Sequence, residues 1–164
     1  MKNKDGYSIC IPLSRQQKGF DLVVLNSKTG KSARIQVKSS TSYKHTRDEK
    51  CGFWFNNFID KVDPTISDFY VLFGLHEGNV AGKKLNKVRA EKWWKREFLL
   101  FSATEMKELL KELKTKSGTR ERFFSIVYDH GNNKLYSERG FDKEYDFTKY
   151  TFEENIISLK KYLG

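Results

Sequence analysis

The chain has 164 residues, with 31 Lys+Arg against 21 Asp+Glu and a formal net charge of +10. A hydrophobic fraction of 38% with 15% aromatics excludes a disordered chain, and 11 Gly with 2 Pro exclude a collagen-like or low-complexity one. No apolar run approaches the roughly 20 residues that span a bilayer, and at roughly 100–200 residues per domain the length suits one domain over 1–164.

Tyr7 to Leu13 reads as a short strand, with Pro12 placing its end at an edge or a bulge. Phe20 to Leu25 and Ala33 to Ser40 read as two strands of a hairpin around the turn Asn26–Lys31, where Gly30 can take a positive φ. Residues 41–52 are polar and read as a loop. Phe53–Phe55 and Phe58–Ile59 are apolar but too short to assign. Asp68 to Leu75 reads as a buried strand. Residues 82–97 form a basic stretch compatible with a helix, followed by a strand over Phe98–Phe101. Ser102 with Glu105 makes a capping box, and Met106, Leu109, Leu110 and Leu113 follow at helical spacing up to Gly118. Arg122 to Tyr128 reads as a strand. Thr151 with Glu154 repeats the capping pattern ahead of a final helix, with Phe152, Ile156, Leu159 and Leu163 on one face. The expected architecture is α/β: a central mixed sheet flanked by helices.

The positive charge is uneven. Residues 1–97 carry 19 Lys+Arg against 10 Asp+Glu, and the remainder is nearly balanced. Residues 83–96 alone hold seven basic residues: Lys83, Lys84, Lys87, Arg89, Lys92, Lys95 and Arg96. Such clustering suits phosphate contact and makes a nucleic acid one expected partner, beside an anionic membrane surface or an acidic protein. Trp93 and Trp94 inside this run can stack on bases, although Trp is more often core. The N-terminus, Met1-Lys2-Asn3-Lys4-Asp5, lacks the apolar stretch of a secretory signal. The expectation is a cytoplasmic protein with no membrane partner and reduced thiols at Cys10 and Cys51, Cys10 in the core. His45, His76 and His130 show no metal-ligand spacing, and Cys51 has no neighbouring His in the sequence. No Gly-rich phosphate loop or G-x-S-x-G elbow is present.

The segment Gly19–Ser40, GFDLVVLNSKTGKSARIQVKSS, carries the chemistry. Asp21 begins one hairpin strand, and Gln36-Val37-Lys38 lies on the other. A carboxylate, an amide oxygen and an ammonium can therefore converge at the end of a rigid hairpin. Divalent-ion-assisted phosphodiester hydrolysis needs such parts: oxygen ligands for the ion and a cation near the attacking water. Convergence depends on register. A pairing sum of 57 or 59 brings Asp21 onto the face of Gln36 and Lys38, whereas 58 puts Val37 opposite Asp21.

This segment resembles the core hairpin of the PD-(D/E)XK nuclease superfamily, the restriction-endonuclease-like fold. It is most similar to the branch with Gln in the second acidic position, in which a G-x-D strand runs into an I-Q-V-K-S-S strand. Asp68–Leu72 is similar to the buried strand that follows that hairpin. The resemblance implies a metal-dependent DNA endonuclease in which Asp21 and Gln36 hold Mg2+ or Mn2+ and Lys38 assists the attacking water. Family members usually carry a helix before the first strand, often with another acid. Six residues precede Tyr7 here, so the expected fold lacks that N-terminal helix. A further acid would come from Asp5, Glu153 or Glu154, or from a second subunit in a homodimer. The alternative is a non-catalytic nucleic-acid-binding module with a degenerate nuclease fold, and a third class is a protein-interaction domain of toxin-immunity type.

Overall fold

The structure is a computed structural model that describes residues 6–14, 19–42, 50–56, 58–77, 94–114 and 122–164. Eight strands and two α-helices are found among them: β1 (Tyr7–Cys10), β2 (Leu22–Asn26), β3 (Ser32–Thr41), β4 (Lys50–Phe55), β5 (Phe69–Glu77), β6 (Trp94–Ser102), α1 (Ala103–Lys111), β7 (Phe124–Asp129), β8 (Lys134–Arg139) and α2 (Phe152–Leu163). The first sheet has the order β1-β2-β3-β5-β6, with β3 and β5 parallel and the other pairs antiparallel. The second is an antiparallel sheet of order β4-β7-β8. The expected mixed α/β architecture is observed.

Alternation along the central strands assigns their two faces. Ile35, Phe69, Val71 and Leu100 pack with Leu159 and Leu163 of α2. Tyr70, Leu72, Leu99 and Phe101 face the other way, onto α1 and the second sheet through Met106, Leu109, Phe53, Phe124 and Ile126. The order of layers is thus α2, the five-stranded sheet, then α1 with the second sheet. Aromatic pairs fill the second interface, with Phe101 stacked on Tyr150 at 4.3 Å and Phe124 on Phe147 at 6.3 Å.

Several local expectations are corrected. Lys50–Phe55 is a strand where residues 41–52 read as a loop running into an unassigned apolar patch. Residues 94–97 are the start of β6 rather than the end of a basic helix. The β8 strand carries no expectation at all. Cys10 is exposed, because β1 is an edge strand with little packed against it. The Ser102–Glu105 capping box forms as expected, with reciprocal bonds at both donors. Thr151 precedes α2 but makes no side-chain cap bond; its backbone is extended and bridges Leu99 instead. Among the described residues, no helix is long and apolar enough to cross a membrane.

Candidate functional site

The β2–β3 hairpin closes through Asn26 N–H to the Lys31 carbonyl at 2.9 Å and Gly30 N–H to the Asn26 carbonyl at 2.8 Å. Four residues, 27–30, make the turn, and Gly30 has φ 73°. That loop length sets an odd register: Leu22 pairs with Ile35 and Val24 with Ala33, a pairing sum of 57. Carried one residue past its last pair, that register sets Asp21 against Gln36, while the Asp21 N–H turns off the ladder to donate to the Ile35 carbonyl at 2.8 Å.

The structure brings Asp21 and Gln36 into contact. An ionised carboxylate only accepts, so it is the Gln36 amide nitrogen, Nε2, that donates to Asp21 Oδ2. The Val37 backbone N–H donates to the same oxygen at 2.7 Å. Lys38, two residues on from Gln36, shares its face of the sheet. Its Nζ sits 5.9 Å from the centroid of Phe58, which is itself stacked on Tyr70 at 6.3 Å. The three predicted residues thus occupy one face, at the margin of the core between the sheets, with Asp21 exposed and Lys38 half-buried.

The approach to Asp21 is held from behind. Gly19 has φ 99°, and a Cβ there would run into Cγ2 of Ile66. Buried Ser67 donates its hydroxyl to the Gly19 carbonyl. Asp63 anchors that same 63–67 turn, accepting from Thr65 N–H at 2.9 Å and Thr65 Oγ1 at 2.8 Å, bonds that hold its carboxyl below the usual range. Beside the hairpin, Arg34 clasps Asp68 with Nη2 on Oδ1 at 2.9 Å and Nε on Oδ2 at 3.0 Å. The Arg34 backbone N–H adds a bond to Oδ2 at 2.7 Å, which fixes the start of β5 against β3.

Of the candidate further acids, Glu153 and Glu154 do not join this site. Glu153 and Glu154 are exposed near the N-terminus of α2, where Thr151 bridges Leu99 of β6. That helix lies on the opposite face of the sheet from Gln36 and Lys38, and β3 and β5 separate its N-terminus from β2. Asp5 lies outside the described residues. So do Lys83, Lys84, Lys87, Arg89, Lys92 and Trp93 of the basic run. Lys95 and Arg96 are exposed on β6, opposite His76 and Leu75 respectively. As successive strand residues they point to opposite faces, so they cannot share the single basic surface that a helix would offer.

A second cluster escaped sequence reasoning. Cys51, His76 and His130 are scattered in the chain, yet one ligand-capable atom of each lies within 4.8 Å of the others. Cys51 pairs with Tyr128 across β4–β7, and His130 follows the end of β7. His76 arrives from β5 in the other sheet. Burial, reinforced by Glu97, pushes the Cys51 thiol up to about 12, against opposing effects of the Tyr128 backbone and Lys95. Strand pairing sets Cys51 beside the end of β7, but His76 joins them only through the packing of one sheet on the other, which no spacing in the chain signals.

No family model matches this chain, and no curated protein matches it. Among solved structures, a bacterial homing endonuclease, I-Ssp6803I, is similar over 96% of this chain and 80% of its own, at 15% identity and a TM-score of 0.44.

Proposed function

We propose that the chain is a single nuclease-like domain, residues 1–164, that hydrolyses DNA phosphodiester bonds with a divalent cation. The observation that carries this reading is the odd register of the β2–β3 hairpin, which sets Asp21 against Gln36 with Lys38 on the same face. That is the placement the D…QxK pattern requires.

The donor set fits a hard cation. Asp21 has its Oδ2 held by two N–H donors, which orients the carboxylate and leaves Oδ1 as its ligand atom. With Nε2 turned to Asp21, the atom Gln36 offers a cation is its amide oxygen. One carboxylate and one amide oxygen suit Mg2+ or Mn2+, which keep several waters and take further ligands from substrate phosphates. Such a cation, when bound, stabilises charge on the phosphate and lowers the pKa of a water. Asp21 holds it, and Gln36 orients Asp21. The Lys38 ammonium, kept in place over Phe58, stabilises negative charge developing at the phosphate. The basic excess of residues 1–97 supports a DNA partner.

The test is cleavage of supercoiled, branched and single-stranded DNA with Mg2+ or Mn2+. Asp21→Ala and Lys38→Ala are each expected to lower the rate by about 100-fold or more. Undiminished cutting by both variants overturns this site. The presence of one carboxylate in the contact favours a second reading, a binding module that keeps the fold without catalysis. Salt-steep DNA binding by the unmodified chain, with no metal-dependent cutting, decides for that one.

A further inference from the structure

The Cys51–His76–His130 cluster shares no residue with the hairpin, and its chemistry is different. Cys51 is 2% exposed and His76 is 1% exposed, while His130 is half-buried. Cys51 Sγ lies 3.6 Å from His130 Nε2, and the two imidazole centroids are 4.9 Å apart. In a tetrahedral zinc site, with Zn–S of about 2.3 Å and Zn–N of about 2.0–2.1 Å, a sulfur and a nitrogen sit about 3.5 Å apart. The Cys51–His130 spacing is already that of two ligands on one ion. The widest separation in the trio has at most about 1.5 Å to close, within reach of a small imidazole rotation.

The ligand types select the ion. A thiolate with two imidazoles suits Zn2+ and disfavours Mg2+ or Ca2+, which take oxygen. The surroundings are also those of a metal-bound histidine. Glu97 Oε1 lies 3.2 Å from His76 Nε2. Glu97 pairs with Gly74, two residues from His76, so strand register puts the carboxylate and the imidazole on one face. With its proton at Nε2 on Glu97, His76 carries its lone pair at Nδ1. A carboxylate that fixes tautomer and ring orientation in this way is the usual outer partner of a metal-bound histidine.

We propose that Cys51, His76 and His130 form a Zn2+ site that ties the β4–β7 pair of the second sheet to β5 of the first. On binding, the Cys51 S–H proton leaves to solvent as the Zn–S bond forms, and nothing is oxidised or reduced. A water would complete the coordination beside His130, the least buried of the three. Because the two sheets meet here, the ion acts as a clamp between them.

The experiment titrates the metal-stripped, untagged full chain with Co2+ and then Zn2+. A single Co2+ per chain is expected, with a near-ultraviolet thiolate-to-cobalt charge-transfer band and the strong visible bands of a tetrahedral ion. Zn2+ should displace it and raise the unfolding temperature. Cys51→Ser should lose the charge-transfer band. His130→Gln, at the half-exposed position where folding is least at risk, should retain Zn2+ at least about tenfold more weakly, and Glu97→Gln roughly 10–100-fold more weakly. A folded unmodified chain without the charge-transfer band overturns the site, as does Co2+ affinity in Cys51→Ser and His130→Gln equal to that of the unmodified chain. DNA cleavage is no part of the readout, so failure of the nuclease reading leaves this result standing, and the reverse holds too.

Discussion

Asp21 and Gln36 meet across the β2–β3 pair, with the Gln36 amide donating to Asp21 Oδ2 and the Val37 N–H donating to that same oxygen at 2.7 Å. An ionised glutamate at position 36 cannot donate. Gln36→Glu would set two carboxylates face to face, and a divalent cation would relieve their repulsion. We expect this variant to lose about 1–2 kcal/mol of stability without divalent ions. Mg2+ should recover the loss, while the unmodified chain responds less. Urea unfolding with and without Mg2+ measures this. A loss that Mg2+ leaves untouched would show that the two side chains do not share a cation.

Gly19 sets the approach to that carboxylate. Its φ of 99° disfavours any L side chain, and the neighbouring Ile66 occupies the space a Cβ needs. Gly19→Ala should destabilise the chain by more than about 1 kcal/mol. Strain at this point would also loosen the Ser67–Gly19 bond and shift Asp21. Chemical-denaturation midpoints give the stability loss, and Mg2+-dependent cleavage gives the second effect. Unchanged stability would mean that the loop accommodates the methyl group.

What was legible in the sequence is local. The hairpin, its positive-φ glycine and the apolar face of α2 all arise within about 20 residues of chain, where turn chemistry and side-chain period act directly. The odd register was one of two outcomes, decided by a four-residue loop that composition does not specify. β4 escaped because Cys51, Gly52 and Phe53 are buried in succession, so no alternation marks the strand. β8 escaped because KLYSER is mostly polar, with Leu135 its one buried hydrophobic residue. The Cys51–His76–His130 meeting depends on two sheets folding against each other, and no spacing in the chain encodes it.

The two helix starts offer an internal comparison. Ser102 accepts from Glu105 N–H at 3.2 Å, and Glu105 reaches back to the Ser102 N–H at 2.9 Å. Thr151 sits ahead of the same S/T-x-x-E pattern, yet its side chain caps nothing. Ser102→Ala should cost about 1 kcal/mol. Thr151→Ala should cost a few tenths at most, since an Ala at that position retains the Leu99 backbone bridge. Paired thermal melts test this. Equal losses would mean that Thr151 is a working cap in solution.

Asp68 gives the chain an acid-sensitive joint. Burial raises its carboxyl pKa, but hydrogen bonds from the Arg34 side chain, the Arg34 backbone N–H and Tyr162 outweigh burial and leave it below the ordinary value. A carboxylate with a depressed folded-state pKa contributes stability that is present above the unfolded value of about 3.9. That contribution is lost as pH falls through the folded value. Asp68→Asn removes the charge but keeps the shape. It should lose about 2 kcal/mol at neutral pH, the scale of charge-assisted hydrogen bonds in a partly buried pair. The gap to the unmodified chain should then narrow as pH falls below the unfolded value of about 3.9 and on through the lower folded value, as the native carboxylate is protonated. Urea midpoints across that range give the measurement. A gap that stays constant with pH would mean that Asp68 works through shape alone and that its charge does not hold β3 to β5.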